Sequence, residues 1–296
     1  MKRALVTGGA GFLGSFIADA LTAAGHEVVV FDRRPSPYLR PGQSMVVGDI
    51  LDAEALTAAA AGATAVYHLA AASDLNTAAD EALETARTNL VGTVHALEAA
   101  RGGGAERFLL ASTVYVYSRA GGFYRCSKQA CEAYVEEFQR RFGLDYTVLR
   151  YGSLYGPRAD NSNGVHRLLR QALEQGAIAH PGEPDDAREY IHVEDAAALS
   201  VQALAPEFAN QHLTLSGSHP MRLRDLFTMF SEILGREVTV DYQPPGDSHY
   251  RVTPYAFSPR VGRKLTATCY VDMGQGLLQV LEELHAAQSR EARPDE

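Results

Sequence analysis

The segment Thr7-Gly8-Gly9-Ala10-Gly11-Phe12-Leu13-Gly14 constrains this chain more than any other stretch. It joins a β-rich run at residues 4–7 to a helical pattern at residues 12–24. At such a junction a Cβ would obstruct the tight turn, the packing of helix on strand, and the approach of a pyrophosphate to the helix N-terminal N–H groups. The next β-rich run, EVVVF, ends at Asp32, 21 residues after Gly11. A carboxylate in that place accepts hydrogen bonds from the adenosine ribose hydroxyls of a dinucleotide. Gly48-Asp49-Ile50 closes a third run and places Asp49 to take the adenine amine, or else forms a plain strand-end turn.

Beyond the turn the pattern repeats. Strands are expected at residues 4–7, 27–31, 45–47, 65–68, 107–111 and 145–149, with helices at 12–24, 53–60, about 75–100 and 124–142, the third of them stopped by Gly102-Gly103-Gly104. Alternation of this kind predicts an α/β fold, a Rossmann-type doubly wound parallel sheet with helices on both faces. After Arg150 the chain is punctuated at Gly156-Pro157, Pro181-Gly182 and Pro244-Pro245-Gly246. This predicts a smaller, partly helical C-terminal substrate lobe with helices near 164–175, 193–205, 222–234 and 276–287. The division expected is 1–150 for an NAD-binding Rossmann domain and 151–296 for a substrate-binding lobe, with some chain returning to the main sheet. The tail SREARPDE reads as a frayed end.

Composition excludes several functions. The net charge is −9 and the basic residues are scattered, so a nucleic-acid surface is not expected. Cys126, Cys131 and Cys269 lack metal-ligand or redox spacing and read as reduced core thiols of a cytoplasmic protein, and no metal site is expected. The apolar run after MKR is too short for a signal peptide, and no stretch is long and apolar enough to span a bilayer.

Together with His68-Leu69-Ala70-Ala71, Asn89 in TNLVGT, Tyr124 and Lys128 in YRCSK, LRYGSLYGPR at 149–158 and REYIHVEDAA at 188–197, these motifs cover nearly the whole chain. In this order they resemble the extended short-chain dehydrogenase/reductases, and among them the NAD-dependent epimerase/dehydratase family that works on nucleotide sugars. The resemblance implies NAD contacts from Gly8, Gly11, Phe12, Leu13, Asp32, Arg33, Asp49, Ile50, Leu69, Ala70, Ala71, Tyr124, Lys128 and Tyr151. It also implies a catalytic Tyr124 and Lys128. Their spacing of four puts both on one helix face, where an ammonium and a positive nicotinamide ring would stabilise a phenolate whose ordinary pKa is about 10. Thr113, in FLLASTVYVYS, corresponds to the family's active-site hydroxyl, with Ser112 taking that role if the register differs by one. Substrate contacts are implied for Thr113, Tyr115, Ser153, Arg188 and Arg251, the two arginines as diphosphate clamps.

Departures from the family narrow the reaction. Val114 and Tyr115 stand where sugar dehydratases carry Asp-Glu, and Tyr115 stands where the decarboxylases carry Glu. Only ten residues separate Thr113 from Tyr124, a shorter connection than usual, and Gly152-Ser153 replaces a bulky residue and Asn. The expectation is an NAD-dependent nucleotide-sugar epimerase working through a transient keto-sugar, as a homodimer paired through the helices at 75–100 and 124–142. The alternatives are a sugar or carbonyl reductase or dehydrogenase using NAD or NADP, and a non-catalytic dinucleotide-binding sensor or scaffold.

Cofactor choice sets Asp32 against Arg33 and Arg34. A ribose 2′-phosphate would meet the carboxylate, so NAD is expected to bind more tightly than NADP. In titration calorimetry Asp32→Ala should weaken NAD, admit NADP and narrow the gap, whereas tighter NADP binding by the unaltered protein would assign the site to the arginines.

Overall fold

The structure, a computed structural model, describes residues 2–73, 81–118, 121–243 and 263–291. The chain divides into two compact units. The first comprises Met1–Tyr151, Ala196–Leu215 and Phe257–Leu265, and the second comprises Gly152–Asp195, Ser216–Ala256 and Thr266–Glu296.

The first unit is built on an eight-stranded parallel sheet. With strands numbered along the chain, its members are β1 (Arg3–Thr7), β2 (Glu27–Asp32), β3 (Gln43–Val47), β4 (Ala65–His68), β5 (Arg107–Thr113), β6 (Asp145–Tyr151), β10 (Gln211–Leu215) and β13 (Arg263–Leu265). Their spatial order is β3-β2-β1-β4-β5-β6-β10-β13. The first six follow the doubly wound order 3-2-1-4-5-6, which leaves a crevice at the carboxyl ends of β1 and β4, where the order reverses. Pairing register lines up Val29, Leu5, Val66, Phe108 and Tyr146 across one face. That apolar row is the core: Leu56 and Ala59 of α2 (Ala53–Ala60), Ala96 and Leu97 of α4 (Gly92–Gly103), and Val135 and Phe138 of α5 (Gly122–Phe142) pack on it. On the opposite face α1 (Phe12–Ala23) buries Ile17 and Leu21, and the Tyr67 hydroxyl donates to the Ser200 carbonyl of α7 (Val193–Gln202) at 3.0 Å.

The helix expected at 75–100 is more complicated. Residues 74–80 lie outside those described; α3 (Ala82–Thr85) is followed by a π-helical segment, Ala86–Val91, and then α4. The wide turn holds Asn89, whose carbonyl accepts from both Thr93 Oγ1 (2.5 Å) and Cys131 Sγ (3.2 Å). Gly103 lets α4 approach α2, since a Cβ there would lie 2.5 Å from the Ala60 carbonyl oxygen. Strand β5 continues to Thr113, and the 3₁₀ turn Val114–Tyr117 replaces the rest of the expected extended run. Only Cys131 is a core thiol; Cys126 and Cys269 are exposed, a correction to the expectation for all three.

The second unit contains a three-stranded sheet in the order β11-β9-β7 and a two-stranded one, β12-β8. The strands are β7 (Ser153–Tyr155), β8 (Ala177–Pro181), β9 (Ala187–His192), β11 (Pro220–Arg222) and β12 (Thr239–Gln243). Leu169 of α6 (Gly164–Gln175), Leu226 and Phe230 of α8 (Leu223–Leu234), and Leu277 and Val280 of α9 (Met273–Glu291) form its core. Because α9 runs to Glu291, the frayed tail expected from residue 289 is helical at its start, and residues 292–296 lie outside those described. No helix among the described residues is long and apolar enough to cross a membrane.

Two stability predictions follow from this packing. Leu97→Ala empties a fully buried position and should cost about 2–5 kcal/mol, while Leu83→Ala, at a site 74% exposed, should change stability by about 0.5 kcal/mol or less; urea denaturation separates them. Burial, with the Lys128 charge adding to it, lowers His68 from 6.5 to about 3. The unfolded chain therefore takes up this proton first, so the contribution is complete above pH 6.5 and is lost as pH falls towards 3. Between pH 6.5 and 5 the loss should be about 2 kcal/mol, and it should be absent from the pH dependence of His68→Gln.

Candidate active site

The glycine turn stands at the carboxyl end of β1. Gly8 has φ of +72°, and a Cβ on it would meet the Ala70 backbone nitrogen at 2.7 Å; glycine is required both by conformation and by the closeness of the β4 loop. A Cβ on Gly14 would collide with the Gly8 carbonyl. Gly11 is the N-cap of α1 and supplies no side-chain acceptor, and the first turn carries no acidic residue. The N–H groups and positive dipole end there suit an anion, with half-exposed Phe12 and Leu13 as the first helical residues.

Asp32 is fixed by the same turn. Its Oδ2 accepts from the Ala10 N–H (3.1 Å) and its Oδ1 from the Arg34 N–H (3.2 Å). Each oxygen keeps a lone pair for a ribose hydroxyl, while Arg33 and Arg34 are exposed. Asp49 Oδ1 accepts from Leu51 N (2.9 Å). Ile50 is buried against Gly92, and its carbonyl accepts from His95 Nδ1 at 3.1 Å, leaving Asp49 as the polar side chain of this segment.

Behind Leu69, Ala70 and Ala71 runs a chain of buried hydrogen bonds whose direction can be worked out. Thr93 uses its one proton on the Asn89 carbonyl, so His68 Nε2 donates to Thr93 Oγ1 (3.0 Å). His68 Nδ1 then accepts from Thr7 Oγ1 (2.8 Å). From Asn89 the chain continues: Oδ1 accepts from Ala72 N (2.7 Å), Nδ2 donates to Ser127 Oγ (2.8 Å), and Ser127 donates to the Tyr124 carbonyl (2.8 Å). The loop after β4 is thereby tied to the helix bearing Tyr124.

Tyr124 and Lys128 lie one turn apart on α5, with Lys128 Nζ 5.8 Å from the Tyr124 ring centroid. Lys128 is 2% exposed and donates to the Ala111 carbonyl of β5 at 2.8 Å. That bond uses one of the ammonium's three donors, and the remaining two fit the hydroxyls of a nicotinamide ribose. Burial lowers the Lys128 pKa, opposed by Cys131 and Glu132. Burial also raises the Tyr124 phenol, with Tyr115 and Cys131 adding to the shift. The expectation that Lys128 and a positive nicotinamide ring together stabilise a Tyr124 phenolate concerns the cofactor-bound site; in the protein alone, burial leads the upward shift of the phenol.

The structure separates the two candidate hydroxyls on β5. Ser112 Oγ donates to Glu132 Oε1 at 2.5 Å, within the protein interior. Thr113 Oγ1 accepts the Tyr115 N–H at 3.2 Å and keeps its proton to donate. Half-buried Tyr115 leans on Gly121, whose φ of +94° opens α5, and a Cβ there would be 3.2 Å from the Tyr115 Cβ. Tyr151 is buried and its hydroxyl is held by Ser200 Oγ at 2.6 Å, which leaves its backbone, and not its phenol, for the cofactor role expected of it.

The second unit holds Ser153, paired with Tyr190 across β7 and β9, and Arg188, paired with Met221 across β9 and β11. His180 is lowered to about 4 by burial, then by the charges of Arg188 and Arg167, with Asp186 opposing them. Arg251 lies outside the described residues. The group that motif reading did not find is the buried Glu132–Arg150 pair with its partner His212. Only the placement of Glu132 four residues beyond Lys128 could have signalled it.

Comparison with known proteins agrees with this geometry. Residues 4–214 match the NAD dependent epimerase/dehydratase family. UDP-glucose 4-epimerase of Mycolicibacterium smegmatis is 30% identical over 82% of this chain and 86% of its own. A 3-diazoavenalumate denitrifying reductase from a Streptomyces species is 29% identical over 88% of this chain and 86% of its own. The crystal structure of UDP-glucose 4-epimerase from Thermotoga maritima with UDP-glucose superimposes with a TM-score of 0.84 at 26% identity, covering 97% of this chain and 99% of that one. The chain therefore belongs to the NAD dependent epimerase/dehydratase family, as an NAD-dependent enzyme of the extended short-chain dehydrogenase/reductase type.

Proposed function

We propose that this enzyme epimerises a carbon of a nucleoside-diphosphate sugar through a transient keto-sugar. The observation that carries the reading is the grouping of Tyr124, Lys128 and a free-donating Thr113 at the carboxyl ends of the central strands, in a chain that lacks a carboxylate at positions 114 and 115. Bound NAD supplies a reversible hydride acceptor, so a carbinol carbon is oxidised and then reduced with no net redox change. Tyr124 takes the hydroxyl proton as that carbon is oxidised and returns it after the keto-sugar has presented its other face. Lys128 would favour the phenolate, and NAD, when bound, would add the positive charge of its oxidised ring to that effect. Thr113 donates to the reacting oxygen and keeps it within reach of Tyr124. Tyr115, whose N–H bonds the Thr113 hydroxyl, is assigned to the sugar.

A second reading, reduction of a carbonyl or other non-sugar acceptor, is favoured by the similarity to the denitrifying reductase. It uses the same Tyr124 and Lys128 but exchanges cofactor at each turnover. Absorbance at 340 nm distinguishes the two, since an epimerase gives product with no net change and a reductase consumes NADH stoichiometrically. Tyr124→Phe should lower turnover by about 100-fold or more, the usual contribution of a positioned acid–base group, with NAD affinity nearly unchanged. Turnover equal to that of the unaltered enzyme would remove Tyr124 from the mechanism.

A further inference from the structure

On α5, residues 124, 128 and 132 follow one another at four-residue spacing, so Tyr124, Lys128 and Glu132 share a face. Glu132 is 7% exposed and yet carries an elaborate set of partners. Arg150 of β6 grips it with two bonds, Nε to Oε1 at 3.0 Å and Nη2 to Oε2 at 2.7 Å, and Ser112 Oγ donates to Oε1. Arg150 also donates to the Tyr117 hydroxyl (2.8 Å), and His212 of β10 stands 2.8 Å from Arg150 Nη2 and 3.6 Å from Glu132 Oε2. The outer side of His212 faces Glu136 at 2.9 Å and the ring of Tyr146. Cys131 precedes Glu132 on the helix, with its thiol on the Asn89 carbonyl.

A buried ion pair of this kind adds little net stability compared with well-packed apolar side chains, so its placement asks for another explanation. Two consecutive residues of β5 are bonded to α5 one turn apart: the Ala111 carbonyl to Lys128, and the Ser112 hydroxyl to Glu132. Thr113 is the next residue. We propose that Glu132 is a positioning residue for the acid–base site: its carboxylate, fixed by Arg150 and Ser112, supplies the negative charge that keeps the buried Lys128 an ammonium one turn from Tyr124. Although burial alone would raise it, the hydrogen bonds from Arg150 and Ser112, with His212 close beside them, hold the Glu132 carboxyl down at about 2, so the charge persists across the working range. Burial pushes Lys128 the other way, and Glu132 opposes that push. Tyr117 and Thr214, joined at 2.9 Å, complete the enclosure from the 3₁₀ turn and β10.

This inference rests on Tyr124 and Lys128 forming the acid–base pair, and its test can be read without turnover. The chain has three lysines, Lys2, Lys128 and Lys264, so 13C-labelled lysine gives three Cε signals, and Lys128→Met identifies the buried one. In the cofactor-free protein the Lys128 midpoint should fall by about one pH unit in Glu132→Gln and stay near its original value in Glu132→Asp. The alkaline limb of kcat/KM should move downward with it, with kcat affected more than KM. Should the lone Arg150 charge prevent Glu132→Gln from folding, Glu132→Gln/Arg150→Met removes both charges, and the Lys128 midpoint should still fall, by less than in the single variant, because the opposing guanidinium charge is lost with the carboxylate. A merely structural pair would change the melting temperature and leave the Lys128 midpoint in place, and that result would overturn the proposal. Failure of Tyr124→Phe to impair turnover would instead overturn the acid–base reading, independently of the lysine titration.

Discussion

The constraint on which the rest of the site depends is the burial of Lys128, an ammonium placed behind the sheet's carboxyl edge with one backbone carbonyl as its direct protein acceptor. A charge in such a place is costly unless its donors and its field are both satisfied. A polar cofactor would complete the donors, and an acidic neighbour the field. The fold offers a place for each: the glycine turn and Asp32 suit a dinucleotide, and Glu132 follows on the same helix face. The same burial keeps Tyr124 a phenol in the protein alone.

Chemistry in this family is selected by what stands beside the shared Tyr and Lys. In this chain the positions after Thr113 carry Val114, which is buried, and Tyr115, which packs on the glycine that opens α5. Neither offers a carboxylate for water elimination or decarboxylation. Ser112 is bonded to Glu132, while the Thr113 hydroxyl accepts from Tyr115 N and keeps its proton to donate. An active site reduced to one phenol, one ammonium and one hydroxyl matches a reaction that removes a hydride and a proton and then restores both.

Much of this was legible in the sequence because its signals are local. The glycine turn, Asp32 and the Tyr-x-x-x-Lys spacing each lie within one element or one turn, and the alternation of short β-rich runs with helices implied the parallel sheet. What sequence left open were the contacts between distant segments. Ser112 and Thr113 differ by one residue, hence by one face of a strand, and only the partner 20 residues on, Glu132, distinguishes them. The Arg150–His212 contact joins residues 62 apart. The π-helical turn holds Asn89, whose carbonyl accepts from the distant Cys131 as well as from Thr93 four residues on; local propensity does not encode such a distant contact, so a uniform helix was the natural expectation. Tyr151 illustrates the same limit: its motif position does not reveal that its hydroxyl is bonded to Ser200.

The central claim, that hydrogen leaves a sugar carbon and returns to it without leaving the site, is tested most directly by isotope. A nucleotide sugar carrying deuterium at the reacting carbon is converted in ordinary water, and the reverse experiment uses unlabelled sugar in heavy water. Mass spectrometry of the product should show the original deuterium retained and no solvent deuterium gained at carbon. Loss of the label to solvent, or its uptake from solvent, would mean that a carbon-bound proton is removed instead, and would contradict the account.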